Sequence, residues 1–532
     1  MEWQMELLVH AARDELIETT LEPIPQPMCL QRYRRNAHSS PLLRLPTELI
    51  LEIFERTAGP DNDPSDDVDR YHALSSLEDN PKDLLALTAV CHELRNIGIA
   101  TPHLWRTVDL TIPPLAELFL ERCDYNPSTL ILSQSVRKKG LFRLLKATEA
   151  IRLQLEGRSL NNLRSLLFEG APSQFELNIV PILQRATNLS SLELHNTTFP
   201  GCPLPWNPST PFPYLSVLYL YGFLVDWSFP LLRNLTQLIM DRGMAGPFPE
   251  RTPVETFLSV LRNCPDLERL ELRRAGPHLS IGQRDDRDVV QLPRLQELFA
   301  EFSDVSTVGC ILSHIGYPES ASVDVCASIR PNASISETIL QFFPRDNTDT
   351  FRRFHKAETL TICVQDQAYE LATGDSIVRV IDLGLRGPHE LSRSASKTLE
   401  VVGNDVIFLS ITTLFADLDS GMWEVFLCGL PRLERISYQR RGEGGNQDAV
   451  DPFILAFFLS FEGEPICPEL RRLGLPRGVL AQISSATSLK RLLMERAARG
   501  RRLKWLELSD HRTEECDRLL LESFLDVVDE IL

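Results

Sequence analysis

Leu189-Ser190-Ser191-Leu192-Glu193-Leu194 returns as Leu215-Ser216-Val217-Leu218-Tyr219-Leu220, an interval of 26 residues (215 − 189). The same interval separates Leu163 from Leu189. Within each copy the Leu-x-Leu step has a period of two, so its leucines share one face of a β-strand and their neighbours share the other. Sharp copies of Leu-x-x-Leu-x-Leu recur at Leu267-Leu270-Leu272, Leu470-Leu473-Leu475 and Leu503-Leu506-Leu508. Looser ones are Leu163-Leu166-Phe168, Leu235-Leu238-Met240, Leu295-Leu298-Ala300, Val378-Ile381-Leu383, Val406-Leu409-Ile411 and Leu433-Ile436-Tyr438. Val406 to Leu433 is 27 residues (433 − 406), whereas Leu433 to Leu470 is 37 (470 − 433) and implies an insertion. Residues 318–362 carry only weak copies.

Strand followed by helix, repeated about every 20–29 residues, is the signature of a leucine-rich repeat. Leucine-rich amphipathic helices throw up the motif by chance, but many copies here follow a turn-like lead such as Asn263-Cys264-Pro265-Asp266. Segments between copies, such as Val254–Arg262 and Asp451–Phe461, have helical patterning. The fold expected for residues 113–532 is therefore α/β, an irregular leucine-rich-repeat solenoid with parallel strands inside and helices outside. Irregularity is expected because regular repeats place Asn or Cys three residues after the last leucine, and Thr197, Phe223, Gly243 and Ala275 stand there. Thr513–Leu532 is an amphipathic helix candidate and a natural C-terminal cap. On the concave face of successive strands should lie Glu193 with His195, Tyr219 with Tyr221, Ile239 with Asp241, Glu271 with Arg273, and Phe299 with Glu301. Aromatic and mixed-charge residues on a broad rigid surface suit protein recognition. Glu193, Tyr219, Tyr221, Glu271, Arg273 and Phe299 are the candidate contacts to a protein substrate.

Ahead of the repeats the patterning changes to helix. In Leu43-Arg44-Leu45-Pro46-Thr47-Glu48-Leu49-Ile50-Leu51-Glu52-Ile53-Phe54, Pro46 suits the first helical position, and Leu49/Ile53 and Ile50/Phe54 are i,i+4 pairs. A second helix is expected to start at Asn80-Pro81 and run as one body from Leu84 through Ile97. A third start follows at Thr101-Pro102, immediately before Leu104-Trp105. Three short helices with this much apolar surface leave some of it open, the usual mark of a partner site. The plainer alternative is a helical cap on the repeats.

The order of these signals, LPTELILEIF, then AVCHELRNIG, then ATPHLW, resembles the F-box. The resemblance covers about residues 42–108 and implies docking on the small adaptor of an SCF ubiquitin ligase, and through it on a cullin. By motif position it assigns Leu45, Pro46, Ile50, Ile53, Val90 and Trp105 to the adaptor contact or to shaping its face. Two departures stand out: Leu94 occupies a position where many F-boxes have tryptophan, and an acidic stretch, 57–79, separates the first two helices. That stretch should loop out to solvent. Its alternating Asp61, Asp63, Ser65, Asp67 and Asp69 do not make a calcium loop, since Asp66 and His72 stand where glycine and glutamate are required. The expected organisation is a partly helical N-terminal arm over 1–36, an F-box-like domain over 37–112 and the repeats over 113–532.

Composition is ordinary for a folded chain: 532 residues, 43% hydrophobic and 24% charged. With Asp+Glu 73 against Lys+Arg 55 the net charge is −18, which disfavours nucleic acid and anionic membranes as partners. The 11 cysteines include no CxxC pair, no metal or cofactor is expected, and reduced thiols fit a cytoplasmic or nuclear setting. The acidic N-terminal residues do not pattern as a signal peptide, and Phe453–Phe461 is too short to cross a bilayer. No phosphate-binding, serine-nucleophile or zinc-protease motif is present, so no catalytic residue is expected. The function expected is substrate recognition for a ubiquitin ligase, with a cullin-independent interaction scaffold as the alternative.

Overall fold

Leu192 and Leu218, central leucines of the 26-residue interval, lie opposite one another on neighbouring parallel strands in the computed structural model. The structure describes residues 40–58, 80–133, 155, 158, 160–196, 198, 200–206, 212–243, 253–276, 289–302, 305–329, 356–365, 368–374, 376–382, 402, 405–413, 420–440, 452–459, 466–476, 483–509, 522 and 524–532. The expected arm over 1–36 and the acidic stretch from residue 59 to 79 lie outside them. The chain divides into two units, 1–225 and 226–532.

The first unit opens with helices α1 (Thr47–Ala58), α2 (Asn80–Val90) and α3 (His92–Ile99), then a 3-10 turn at Pro102–Trp105. The Pro46 carbonyl accepts the Leu49 and Ile50 amides, so the proline sits at the helix entrance as its sequence position suggests. The single helix expected from Leu84 to Ile97 is in fact two, broken at Cys91, whose backbone is extended (φ −156°, ψ 165°). Packing gives the reason. In one straight helix Thr88 and Gly98 would stand about 15 Å apart. Here a Cβ on Gly98 would fall 2.7 Å from the Thr88 Cγ2, with the Phe54 ring next to it. The break folds α3 back onto α2 and α1, and only glycine fits where they meet.

The helices lead directly into a ladder of parallel strands, β1 (Thr107–Asp109), β2 (Thr129–Ser133), β3 (Ser165–Glu169), β4 (Ser191–His195) and, after the short β5 (Cys202–Pro203), β6 (Val217–Tyr221). Helix α4 (Pro113–Arg122) makes the crossover from β1 to β2. Its Phe119 meets the Trp105 ring edge-on at 4.9 Å, so the helical module continues into the sheet without a linker. Leu130, Leu166, Leu192 and Leu218 form one buried row, and Leu132, Phe168, Leu194 and Leu220 the next. Before each strand the chain repeats one hydrogen bond, from Arg164 N–H to the Ser128 carbonyl, Ser190 to Arg164 and Ser216 to Ser190. Asn196 is fully buried and its amide donates to the Gly222 carbonyl. It satisfies the backbone one position before the place where the sequence lacks the expected asparagine. A short strand, β7 (Phe223–Leu224), then pairs with β5.

The second unit repeats the design. Strands β8 (Gln237–Asp241), β9 (Arg269–Arg273), β11 (Glu297–Phe302) and β13 (Ser322–Ile329) pair in parallel, with α5 (Val254–Arg262) and α6 (Val305–His314) in the crossovers. The two-residue strands β10 (Val290–Gln291) and β12 (Ile315–Gly316) pair beside them. Parallel order then breaks. β14 (Thr359–Gln365), β15 (Ala368–Thr373) and β16 (Ser376–Asp382) form an antiparallel meander, with β16 pairing back to β13 and β14 on to β17 (Phe408–Thr413). This corrects the copy at Val378-Ile381-Leu383: Val378 lies inside β16 and not two residues ahead of a strand. Parallel pairing resumes through β17, β18 (Arg435–Arg440), β19 (Arg472–Pro476), β20 (Leu503–Ser509) and β21 (Val528–Ile531). Helices α7 (Ser420–Cys428), α8 (Pro452–Leu459) and α9 (Ile483–Ala498) occupy these crossovers. The helix expected over Thr513–Leu532 is a strand in its final described residues. β21 covers the edge of β20 with Val528 opposite Leu503 and Ile531 opposite Leu506, satisfying backbone groups that an amphipathic helix would leave unpaired.

Candidate functional site

The residues assigned to the first surface separate into buried and open sets. Ile50 and Trp105 are buried, the indole N–H donating to the Gly98 carbonyl at 2.7 Å. The Arg122 guanidinium stacks 4.1 Å above the indole, and burial together with the nearby Arg95 charge lowers its pKa to about 10. Ile50 and Trp105 therefore shape the module from within. Ile53 is half-buried, while Leu45, Pro46 and Val90 are open, Val90 with 68% of its surface exposed. Two further apolar residues of the helical module are open, Leu49 (45%) and Ile99 (44%). Leu49 was legible as one of two apolar stripes on α1. Phe54 and Ile50 take the inner stripe, which leaves Leu49 and Ile53 on the outer one. Ile99 is the last residue of α3.

On the strands, register brings the expected neighbours together within each unit. In the first, Ile131, Leu167, Glu193 and Tyr219 form one row, and Ser133, Glu169, His195 and Tyr221 the next. The His195 ring meets Tyr219 edge-on at 4.6 Å and stacks near Tyr221 at 5.9 Å. Ser133 donates a short hydrogen bond to Glu169. Glu193 Oε2 has no hydrogen-bond partner among the described residues, and His195 Nε2 stands 4.0 Å away. Burial alone pushes the Glu193 pKa up to about 7. Ser133 and Glu169 come from the looser copy beginning at Leu163 and its parallel neighbour, where the motif gives the weakest guide to register.

In the second unit, Ile239, Glu271, Phe299 and Asp324 share a row, and Asp241, Arg273, Glu301 and Cys326 the next. Glu271 is buried and held from both sides, by Arg273 Nε at 2.5 Å and Arg269 Nη2 at 3.0 Å. The Arg273 guanidinium lies 4.1 Å over the Phe299 ring. Arg274 pairs with Glu301 at 2.8 Å. Asp241 is raised above the usual carboxylate range by burial, against the Gly243 amide and Arg273, which favour its charge. These charges already answer one another.

Elsewhere Cys310 Sγ and His314 Nδ1 lie 3.6 Å apart on α6, and no set of three or more metal-ligand side chains gathers among the described residues. Nor is any described helix long and apolar enough to cross a membrane.

Residues 42–111 match the F-box-like family, so an F-box-like domain occupies the helical module and the first ladder strand. No curated protein matches the chain.

Proposed function

We propose that this chain is the substrate-recognition subunit of an SCF-type cullin ubiquitin ligase. The observation that carries the reading is the exposure of the apolar residues Leu45, Leu49, Val90 and Ile99 on an F-box-like domain, a domain type that supports protein interaction and typically binds the adaptor. The parallel ladders, with a 26-residue step in the first unit, are read as degenerate leucine-rich repeats whose concave strand face holds a protein substrate. Catalysis would belong to the partner subunits, and this chain would act by raising the local concentration of substrate beside the charged ubiquitin carrier, in the cytoplasm or nucleus.

The test uses surface residues, because Ile50→Ala or Trp105→Ala would empty buried sites and cost about 2–5 kcal/mol of fold stability. Leu49→Asp with Val90→Asp places charge on the open face only. The double variant should keep its melting temperature and lose adaptor co-purification. Wild-type adaptor recovery would sink the docking assignment, and an adaptor recovered without cullin or ubiquitinated partners would favour the scaffold reading.

A further inference from the structure

Glu193 is chemically unusual on its face of the first unit. Its side chain retains 18% exposure, yet Oε2 is shielded and accepts no hydrogen bond among the described residues, with His195 Nε2 4.0 Å away. A carboxylate removed from water without a matching donor is costly, and a cation brought to it recovers much of that cost. The surroundings fit one kind of cation. On one side of Glu193 the same row continues through Leu167 and Ile131, both buried and apolar. On the other side stands Tyr219, with His195 and Tyr221 packed against it. Aromatic faces attract a cationic head, and a carboxylate fixes it. One row over, Glu169 adds further negative charge. The corresponding carboxylate of the second unit, Glu271, is already answered by Arg269 and Arg273 and offers no such vacancy.

Resting on the reading of the strand face as a recognition surface, we infer that Glu193 and Tyr219, with His195 and Tyr221, form a subsite for a single arginine or lysine side chain of the protein substrate. The charged head meets the Glu193 carboxylate beside the Tyr219 and His195 rings. The desolvation that lifts the Glu193 pKa is consistent with a carboxylate kept for a partner's charge.

Saturation-transfer NMR on the full chain, with Nα-acetyl-arginine methylamide as the probe and its citrulline analogue as the neutral isostere, tests this at pH 8. Transfer to the arginine side chain should exceed transfer to citrulline by about tenfold, and Glu193→Gln should bring the two level. Tyr219→Leu, which keeps the carboxylate and removes a ring, should weaken arginine several-fold. Equal transfer to the two probes in wild type, or full arginine selectivity in either variant, overturns the assignment. Glu193→Gln leaves the helical module untouched, so adaptor capture reports separately on the reading beneath.

Discussion

Two glutamates, one in each unit, occupy the same kind of place: the middle of a parallel strand, between two buried aliphatic residues and on the outer face. Glu193 sits between Leu192 and Leu194, and Glu271 between Leu270 and Leu272. Their neighbours differ. β9 begins and ends in arginine, so Arg269 and Arg273 both lie two residues from Glu271 on its own face and clamp it. β4 begins with Ser191 and ends with His195, which leaves Glu193 without a guanidinium on its own strand. A motif that specifies backbone and core thus leaves the outer face to residues two steps away. One surface is electrostatically closed and the other unfinished.

The same isosteric change should therefore act with opposite signs. Glu271→Gln removes a charge that two arginines were holding, and should destabilise the second unit by about 2–4 kcal/mol in calorimetry at pH 8, the largest effect expected here. A neutral or stabilising outcome would erase the contrast. Glu193→Gln should instead stabilise the first unit, by about 1–3 kcal/mol at pH 8. Because the folded pKa is raised from 4.5 to about 7, the wild-type penalty is absent below about pH 4.5, grows between pH 4.5 and about 7, and is constant above that. Melting curves of wild type and variant should converge near pH 4.5 and separate toward pH 8. The titratable groups on the neighbouring strand positions are His195, Tyr219, Tyr221 and Glu169, so His195→Gln is the matching control. The smallest effect belongs to Arg262→Ala, which breaks an exposed pair with Glu255 at 2.7 Å and should shift stability by less than about 0.5 kcal/mol. A larger loss would mean that surface pairs weigh as much as the clamp around Glu271.

Much of this arrangement was written in the spacing. Leucines 26 residues apart gave β3, β4 and β6 their register, and with it the rows that hold Glu193 beside Tyr219 and His195 beside Tyr221. Register follows from pattern because a slip of one residue would turn every buried leucine outward. What stayed illegible depended on contacts distant in sequence. Nothing local around Cys91 announces a break, since its cause is Gly98 meeting Thr88 and Phe54. Which α1 stripe faces inward was decided by α2 and α3. Val528–Ile531 has apolar residues compatible with helix, and the waiting edge of β20 draws it into a strand. Nor could one strand's composition show whether a carboxylate would find its cation.

The antiparallel meander has a further consequence. A parallel ladder can grow by copying: each strand uses its predecessor as a template, and order spreads along the stack from one end. At β13 that succession stops, because its spatial neighbour is β16, which reaches it only after β14 and β15 have been laid down. The second unit therefore cannot assemble by simple propagation from β8 to β21. The hairpin connections within the meander close locally and early, while the parallel junctions on either side must await them. The meander is a splice between two parallel stacks, and damage to it should uncouple them while leaving the pattern of each intact.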